Sequence, residues 1–299
     1  MTARWLSAGL WLVAVAGLAQ TPPPAFPPPV VEKTGFDNGE WKEVGDHQLD
    51  LDAITPRGRE ILALPGISWK HAETPHFVIH YEQAIFARKV ARMAEFFYSY
   101  IAQDLQGAQD RIKGRSHIFV FRSEKRWAEF RRAAMDVPEW TFSRVEGTVM
   151  FLQQAENTAL SGNVLAHEMT HLVITRFFTR RVPLWLDEGL AEYYGEFAYA
   201  EFKGIKKSKR ALFSRLADPY PLDSLFHATT YPAGSKEVQS FYETAKYMVG
   251  FLLLDHPSSQ LLPFMDAVIG GQEISRAFSS HYGLSTISEI QKAFDKFAS

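Results

Sequence analysis

The chain has 299 residues and nearly balanced charge, with 32 Lys and Arg against 34 Asp and Glu. Hydrophobic residues make up 46% and charged residues 22%, which is typical of a globular protein and argues against a disordered or fibrous one. The balanced charge predicts no nucleic-acid partner. The absence of cysteine excludes disulfides, thiolate metal sites and a cysteine nucleophile, so any metal ion must be held by His, Asp or Glu.

Residues 1–19 predict a secretory signal peptide. Arg4 supplies a positive start, residues 5–18 are mostly apolar, and Gly17 and Ala19 place small residues before a cleavage site. The apolar run is short for a bilayer span of about 20 residues. We therefore expect cleavage and an exported bacterial protein, periplasmic or extracellular, without a stable membrane anchor; an uncleaved anchor is the alternative.

The remaining chain divides into an extension and one domain. Residues 20–73 read as a Pro-rich tether followed by an N-terminal extension. We expect a domain over 74–299, with a sheet subdomain to about residue 180 and a helical subdomain after it. The predicted fold class is α+β, with a small mixed sheet. Alternating and helical spacings predict strands at 77–81, 117–121 and 147–152 and helices at 83–106 and 124–134.

One short segment carries the pattern of a metal site. His167 and His171 are four residues apart in a helical pattern, which places them on one helix face about 5–6 Å apart at Cβ. Two imidazoles at that separation can bind one ion, and Glu168 would then reach water at the ion. This is the H-E-x-x-H spacing of zinc hydrolases. The alternative is a chance pair of surface or core histidines.

A second segment, residues 183–194, supplies a third candidate ligand. Glu188 follows His171 at a distance that allows a helix, a turn and an antiparallel return. Glu192, one turn later on the same face, can accept the remaining ring N–H of a ligand histidine. The surrounding Trp, Leu, Gly, Ala and Tyr residues predict a buried helix, in which carboxylates need partners. A solvated helix face is the alternative.

The two segments together, His167–His171 and W-L-D-E-G-L-A-E-Y at 185–193, resemble the gluzincin metallopeptidases and in detail the exported bacterial peptidase MA-like family. The resemblance runs from about residue 74 to the C-terminus. It implies an active-site cleft between the two subdomains.

The resemblance also implies the roles of single residues. Zinc would be bound by His167, His171 and Glu188, with Glu168 as the general base. The loop between the two motifs is a little shorter than in thermolysin-like relatives, so Glu192 is an alternative third ligand.

The oxyanion formed during hydrolysis needs a further donor. The helical segment at 241–250 resembles the family's downstream helix, which begins with a tyrosine, and this favours Tyr242. Tyr247 and His227 are alternatives, and a core tyrosine without a catalytic role fits the pattern equally well.

Residues 147–152 form a candidate substrate-binding strand. As a sheet edge, this strand would pair with an extended peptide through the main chain around Gly147 and Val149. An internal strand is the alternative. Aminopeptidase relatives carry G-x-M-E-N near this place, and the acid and the asparagine are missing here, which favours an endopeptidase.

The sequence thus predicts an exported zinc metallopeptidase that cleaves a peptide or protein substrate. One alternative is a non-catalytic envelope protein that uses the zinc site as an interaction scaffold. Another is a hydrolase of a non-peptide amide, since pocket shape decides substrate choice. No feature of the sequence predicts an oligomeric state.

Overall fold

The computed structural model describes residues 41–299 apart from 109–110, 112–113, 135–141, 155–157, 179 and 207. The predicted signal peptide at 1–19 and the Pro-rich start of the extension, up to residue 40, lie outside the described residues. None of the described helices combines the length and apolarity that a bilayer span needs.

Strands and helices alternate in the first half of the described chain, and helices alone follow. The strands are β1 (Lys42–Val44), β2 (Lys70–Glu73), β3 (Phe77–Tyr81), β4 (Ser116–Phe121), β5 (Ser143–Glu146) and β6 (Val149–Gln153). The helices are α1 (Pro56–Leu62), α2 (Ala84–Asp104), α3 (Glu124–Ala134), α4 (Thr158–Phe177), α5 (Leu184–Phe202), α6 (Leu222–His227), α7 (Ser235–Leu254), α8 (Leu261–Ile269), α9 (Ile274–Tyr282) and α10 (Ile287–Phe297).

The six strands form one mixed sheet in the order β1-β2-β3-β4-β6-β5. The central pairs β3–β4 and β4–β6 are parallel, and the outer pairs are antiparallel. The predicted α+β class is confirmed. The sheet begins before residue 74, because β1 and β2 come from the segment predicted as an extension and pair with β3 through β2.

Both faces of the sheet are covered, as β4 illustrates. Successive side chains of a strand point to opposite faces. Ile118 and Val120 belong to the main core with α2 and α4, whereas Phe119 and Phe121 belong to a second core with α1 and α3. Coverage on both sides explains why β4 is an almost uninterrupted apolar run.

Helix α5 lies between α4 and α7, and glycines allow both neighbours to approach closely. A Cβ on Gly195 would lie 3.3 Å from the Cα of His167 on α4. A Cβ on Gly189 would lie 2.5 Å from the carbonyl oxygen of Ala245 on α7. The separation of α5 and α7 therefore depends on Gly189 having no side chain, whereas a methyl group at Gly195 would require a shift of a few tenths of an ångström between α5 and α4.

Substitution of Gly189 tests this packing. Gly189→Ala should lower the free energy of unfolding by about 1–3 kcal/mol, because the added methyl group meets a rigid backbone oxygen. Helix propensity by itself would favour alanine by about 1 kcal/mol. The sign of the measured change therefore shows whether the backbone contact or the helix propensity dominates. Urea unfolding followed by circular dichroism measures it. A variant as stable as wild type, or more stable, contradicts the close α5–α7 contact.

Three histidines form a hydrogen-bonded chain across β2, β3 and β4, buried on the α1/α3 side of the sheet. His80 Nδ1 lies 2.8 Å from His71 Nδ1, and His80 Nε2 lies 2.9 Å from His117 Nδ1. His71 Nε2 lies 3.1 Å from the Asp46 carboxylate. With the three rings neutral, as their burial favours, His71 donates to that carboxylate, His80 donates to His71, and His117 donates to His80.

The hydrogen-bonded chain of three histidines predicts that the folded protein loses stability in acid. Burial lowers the pKa of each ring; for His117 it outweighs the attraction of Asp50 and lowers the pKa to about 4. The unfolded protein then binds more protons than the folded one between pH 6.5 and about 4, so stability falls as the pH falls through that window.

His117→Asn keeps a donor toward His80 but does not titrate. The difference in unfolding free energy between wild type and this variant should change by up to about 1.4 kcal/mol per pH unit in the window. Urea unfolding at pH 7, 6, 5 and 4 measures that difference. A difference independent of pH would show that His117 is not held neutral.

Candidate metal centre

Helices α4 and α5 run antiparallel and bring the predicted ligands together. His167 and His171 lie on one face of α4, with ring centroids 4.8 Å apart. Glu188, in the second turn of α5, faces both rings. His167 and Glu188 are 5% and 4% exposed, whereas His171 is partly exposed, so the group is reached by solvent on the His171 side.

Three ligand atoms form a small triangle. His167 Nε2 and His171 Nε2 are 3.1 Å apart, and Glu188 Oε2 lies 3.4 Å from the first nitrogen and 3.6 Å from the second. Two ligands about 2.0–2.1 Å from one ion at a tetrahedral angle lie about 3.3–3.4 Å apart. The triangle therefore has the size of one face of a tetrahedral coordination sphere, and His167, His171 and Glu188 could hold a metal ion.

The opposite ring nitrogens show which atoms are available to an ion. His167 Nδ1 lies 3.1 Å from Glu192 Oε1, and His171 Nδ1 lies 3.1 Å from Asp187 Oδ1. Because a carboxylate only accepts, both histidines donate from Nδ1, and in the neutral rings both Nε2 atoms present lone pairs. Glu188 Oε2 is buried and accepts no hydrogen bond. Three lone pairs thus converge where only a cation stabilises them.

The electrostatics of the cluster favour positive charge. Burial disfavours the charged form of His167, but the carboxylates of Glu188 and Glu192 outweigh it and raise its pKa to about 9. His171 behaves alike, since Asp187 and Glu188 raise its pKa well above 6.5 against the effect of burial. Burial opposes ionisation of Glu188, yet the two histidines hold its pKa well below the usual range. Protons and metal ions therefore compete for one anionic site.

Glu168 lies beside the cluster without belonging to it. The residue is 9% exposed, and its carboxyl group is not among the converging ligand atoms. Burial raises the pKa of Glu168, against the opposing effect of the two histidines and of the Ser143 hydroxyl on β5. A buried carboxyl group with a raised pKa next to a metal site is suited to taking up and releasing a proton.

Of the three candidate oxyanion donors, only Tyr242 lies at the cluster. Its ring centroid is 6.4 Å from that of His167. The hydroxyl of Tyr247 donates instead to the carbonyl oxygen of Ser214 at 2.7 Å. His227 is exposed and bonds with its own helix at Asp223.

The candidate substrate strand is internal. β6 pairs with β4 on one side and with β5 on the other, so the edge interpretation of residues 147–152 is wrong and the alternative is correct. Gly147 lies in the β5–β6 turn with φ of +60°. Val149 is fully buried in the second core, on the α1/α3 face rather than the α2/α4 face. Among the described strands, the edge on this side is β5, and its Ser143 lies beside Glu168.

Three residues at the site were not assigned a role from the sequence. Asp187 holds His171, Ser143 lies beside Glu168, and the hydroxyl of Tyr231 donates to Glu188 Oε1. Asp187 had a local signal, because it precedes the predicted ligand Glu188 directly. Tyr231 and Ser143 had none, since both come from separate segments of the chain.

No model of a known protein family matches the chain, and no curated protein matches it either.

Removal of one ligand tests the centre. Glu188→Ala should abolish stoichiometric binding of zinc or cobalt, because two imidazoles without an anionic third ligand hold an ion poorly. Isothermal titration with Zn²⁺ and Co²⁺ measures binding. Glu201→Ala, an exposed glutamate on the same helix, is the matched control and should bind as wild type does. Equal binding by Glu188→Ala and wild type would place the metal elsewhere.

Proposed function

We propose that the protein is an exported zinc-dependent metallopeptidase that cleaves internal bonds of a peptide or protein. The observation that carries the proposal is the convergence of His167 Nε2, His171 Nε2 and Glu188 Oε2, with the buried carboxyl group of Glu168 beside them. A nitrogen–nitrogen–oxygen donor set without thiolates suits a catalytic zinc site, which takes three protein ligands and keeps one position open.

The residues around the metal site have different tasks in this proposal. Zinc, when bound, supplies Lewis acidity that polarises a carbonyl group and acidifies water. Glu168 takes the proton of the attacking water and delivers it to the leaving amine. Glu192 and Asp187 keep both Nδ1 atoms protonated, so that both Nε2 atoms stay available to the ion. Tyr242 donates to the oxyanion.

The open edge of the sheet supports an extended peptide as substrate. β5 ends the sheet beside Glu168, and no described strand pairs with its outer side. An extended chain can pair with such an edge through its main chain. This role passes to β5 from residues 147–152, where the sequence had suggested it. The missing G-x-M-E-N pattern supports cleavage within a chain rather than at a free amine.

The position of Glu168 favours catalysis over a purely structural metal site. Burying a carboxyl group costs free energy unless it is compensated. Glu168 is not a member of the ligand group, and holding an ion does not require it. A scaffold protein gains nothing from this residue, whereas a hydrolase needs a base there.

Glu168→Gln separates the two functions. The variant should bind one zinc ion like wild type and lose peptide hydrolysis by at least about 10²–10⁴-fold, the usual contribution of a general base. Zinc content and cleavage of a casein-type substrate and of a peptide library are measured side by side, with the exposed Glu201→Gln as control. If Glu168→Gln cleaves as fast as wild type, Glu168 is not the base. If neither protein cleaves any peptide while both bind zinc, the peptidase assignment fails and the scaffold function is favoured.

A further inference from the structure

Tyr231 reaches the metal centre from outside the two motif helices. It lies in the connection between α6 and α7, at residues 228–234, and its hydroxyl donates to Glu188 Oε1. Its ring is half-buried and nearly parallel to that of Tyr242, with centroids 6.0 Å apart and an interplanar angle of 17°. Phe241 meets the same ring edge-on at 6.3 Å. These aromatic contacts hold the Tyr231 ring in the position from which its hydroxyl group donates to the Glu188 carboxylate.

The hydrogen bonds of the two tyrosines have a definite direction. A phenol has one hydrogen to donate. Tyr231 gives its hydrogen to Glu188, because the ionised carboxylate can only accept. The hydroxyl groups of Tyr231 and Tyr242 are also hydrogen-bonded with each other. Tyr242 must therefore be the donor in that pair, so its hydrogen goes to the Tyr231 oxygen and not to a metal ligand.

The two oxygens of Glu188 consequently have different surroundings. Oε1 is occupied by the Tyr231 hydroxyl, whereas Oε2 accepts no hydrogen bond and faces the two Nε2 atoms. A carboxylate with both oxygens free could bind an ion through both and fill the coordination position that a catalytic site keeps open.

We propose that Tyr231 is the positioning residue that makes Glu188 a one-oxygen ligand: it holds Oε1 away from the ion and directs Oε2 toward it. This inference rests on the metal site proposed above and extends it. It also divides the tyrosines, since Tyr231 donates to the ligand, whereas Tyr242 donates to Tyr231 and must turn its hydrogen to the oxyanion when substrate is bound.

Cobalt binding by the full chain tests this division. Co²⁺ replaces the zinc, and the affinity is measured by competition with a chelator in wild type, Tyr231→Phe and Tyr242→Phe. Tyr231→Phe should weaken Co²⁺ binding by about 10–100-fold, as loss of a hydrogen-bond partner of a ligand typically does. The visible absorption of Co²⁺ bound to Tyr231→Phe should also weaken, because the second oxygen of Glu188 would then bind the ion and raise its coordination number. Tyr242→Phe should leave both the affinity and the spectrum unchanged.

Two further measurements make the test decisive. Equal melting temperatures of the metal-free proteins show that the variants are folded. Zinc X-ray absorption of wild type needs no variant and should show about four nitrogen or oxygen neighbours near 2.0 Å, the number expected for two imidazoles, one carboxylate oxygen and one open position taken by water, rather than five.

Unchanged affinity and spectrum in Tyr231→Phe overturn the inference. Equal weakening in both tyrosine variants also overturns it, because the effect would then come from the bonded pair of hydroxyl groups as a whole and not from the single bond between Tyr231 and Glu188. A wild-type protein that binds no cobalt or zinc removes the metal site itself. If Co²⁺ binding responds as expected but the protein cleaves no peptide, the inference is supported and the proposed function fails.

Discussion

The close antiparallel contact between α4 and α5 is the constraint on which the metal centre depends. The two histidines can meet Glu188 because the helix axes lie close together, and the absence of a side chain at Gly195, against the backbone of His167, favours this close approach. Gly189 plays the same part toward α7, which carries Tyr242. The glycines weaken helix α5 by intrinsic propensity, so their presence in a buried helix is explained by packing.

The second feature of the centre is the compensation of buried charge. Carboxylates and imidazoles cannot be buried separately without a large cost in free energy. Here each histidine has its own carboxylate at Nδ1, and Glu188 is shared between the two Nε2 atoms. The outer bonds fix the tautomers, and the tautomers leave lone pairs facing inward. Affinity for a cation is thus a consequence of how the surrounding bonds are satisfied.

Polar groups inside the sheet region follow the opposite rule. His71, His80 and His117 are buried with one carboxylate partner among them, and burial lowers the pKa of each ring. The same residue type therefore serves two purposes in one chain. His167, which is surrounded by carboxylates, gains affinity for a proton or a metal ion. His80, which is buried against two other histidines and Phe119, loses affinity for a proton.

The sequence by itself determined those features that depend on local spacing. His167 and His171 share a helix face because of the helical repeat, and the apolar surroundings of Glu188 indicated a buried helix. Long strands and helices were located for the same reason. β1, β2 and β5 have three or four residues and show no period, so the sheet was predicted too short and β6 could not be recognised as internal. Only the tertiary structure decided that Tyr231, 43 residues from Glu188 along the chain, donates to it, because such a contact depends on how distant segments pack and leaves no pattern in either segment.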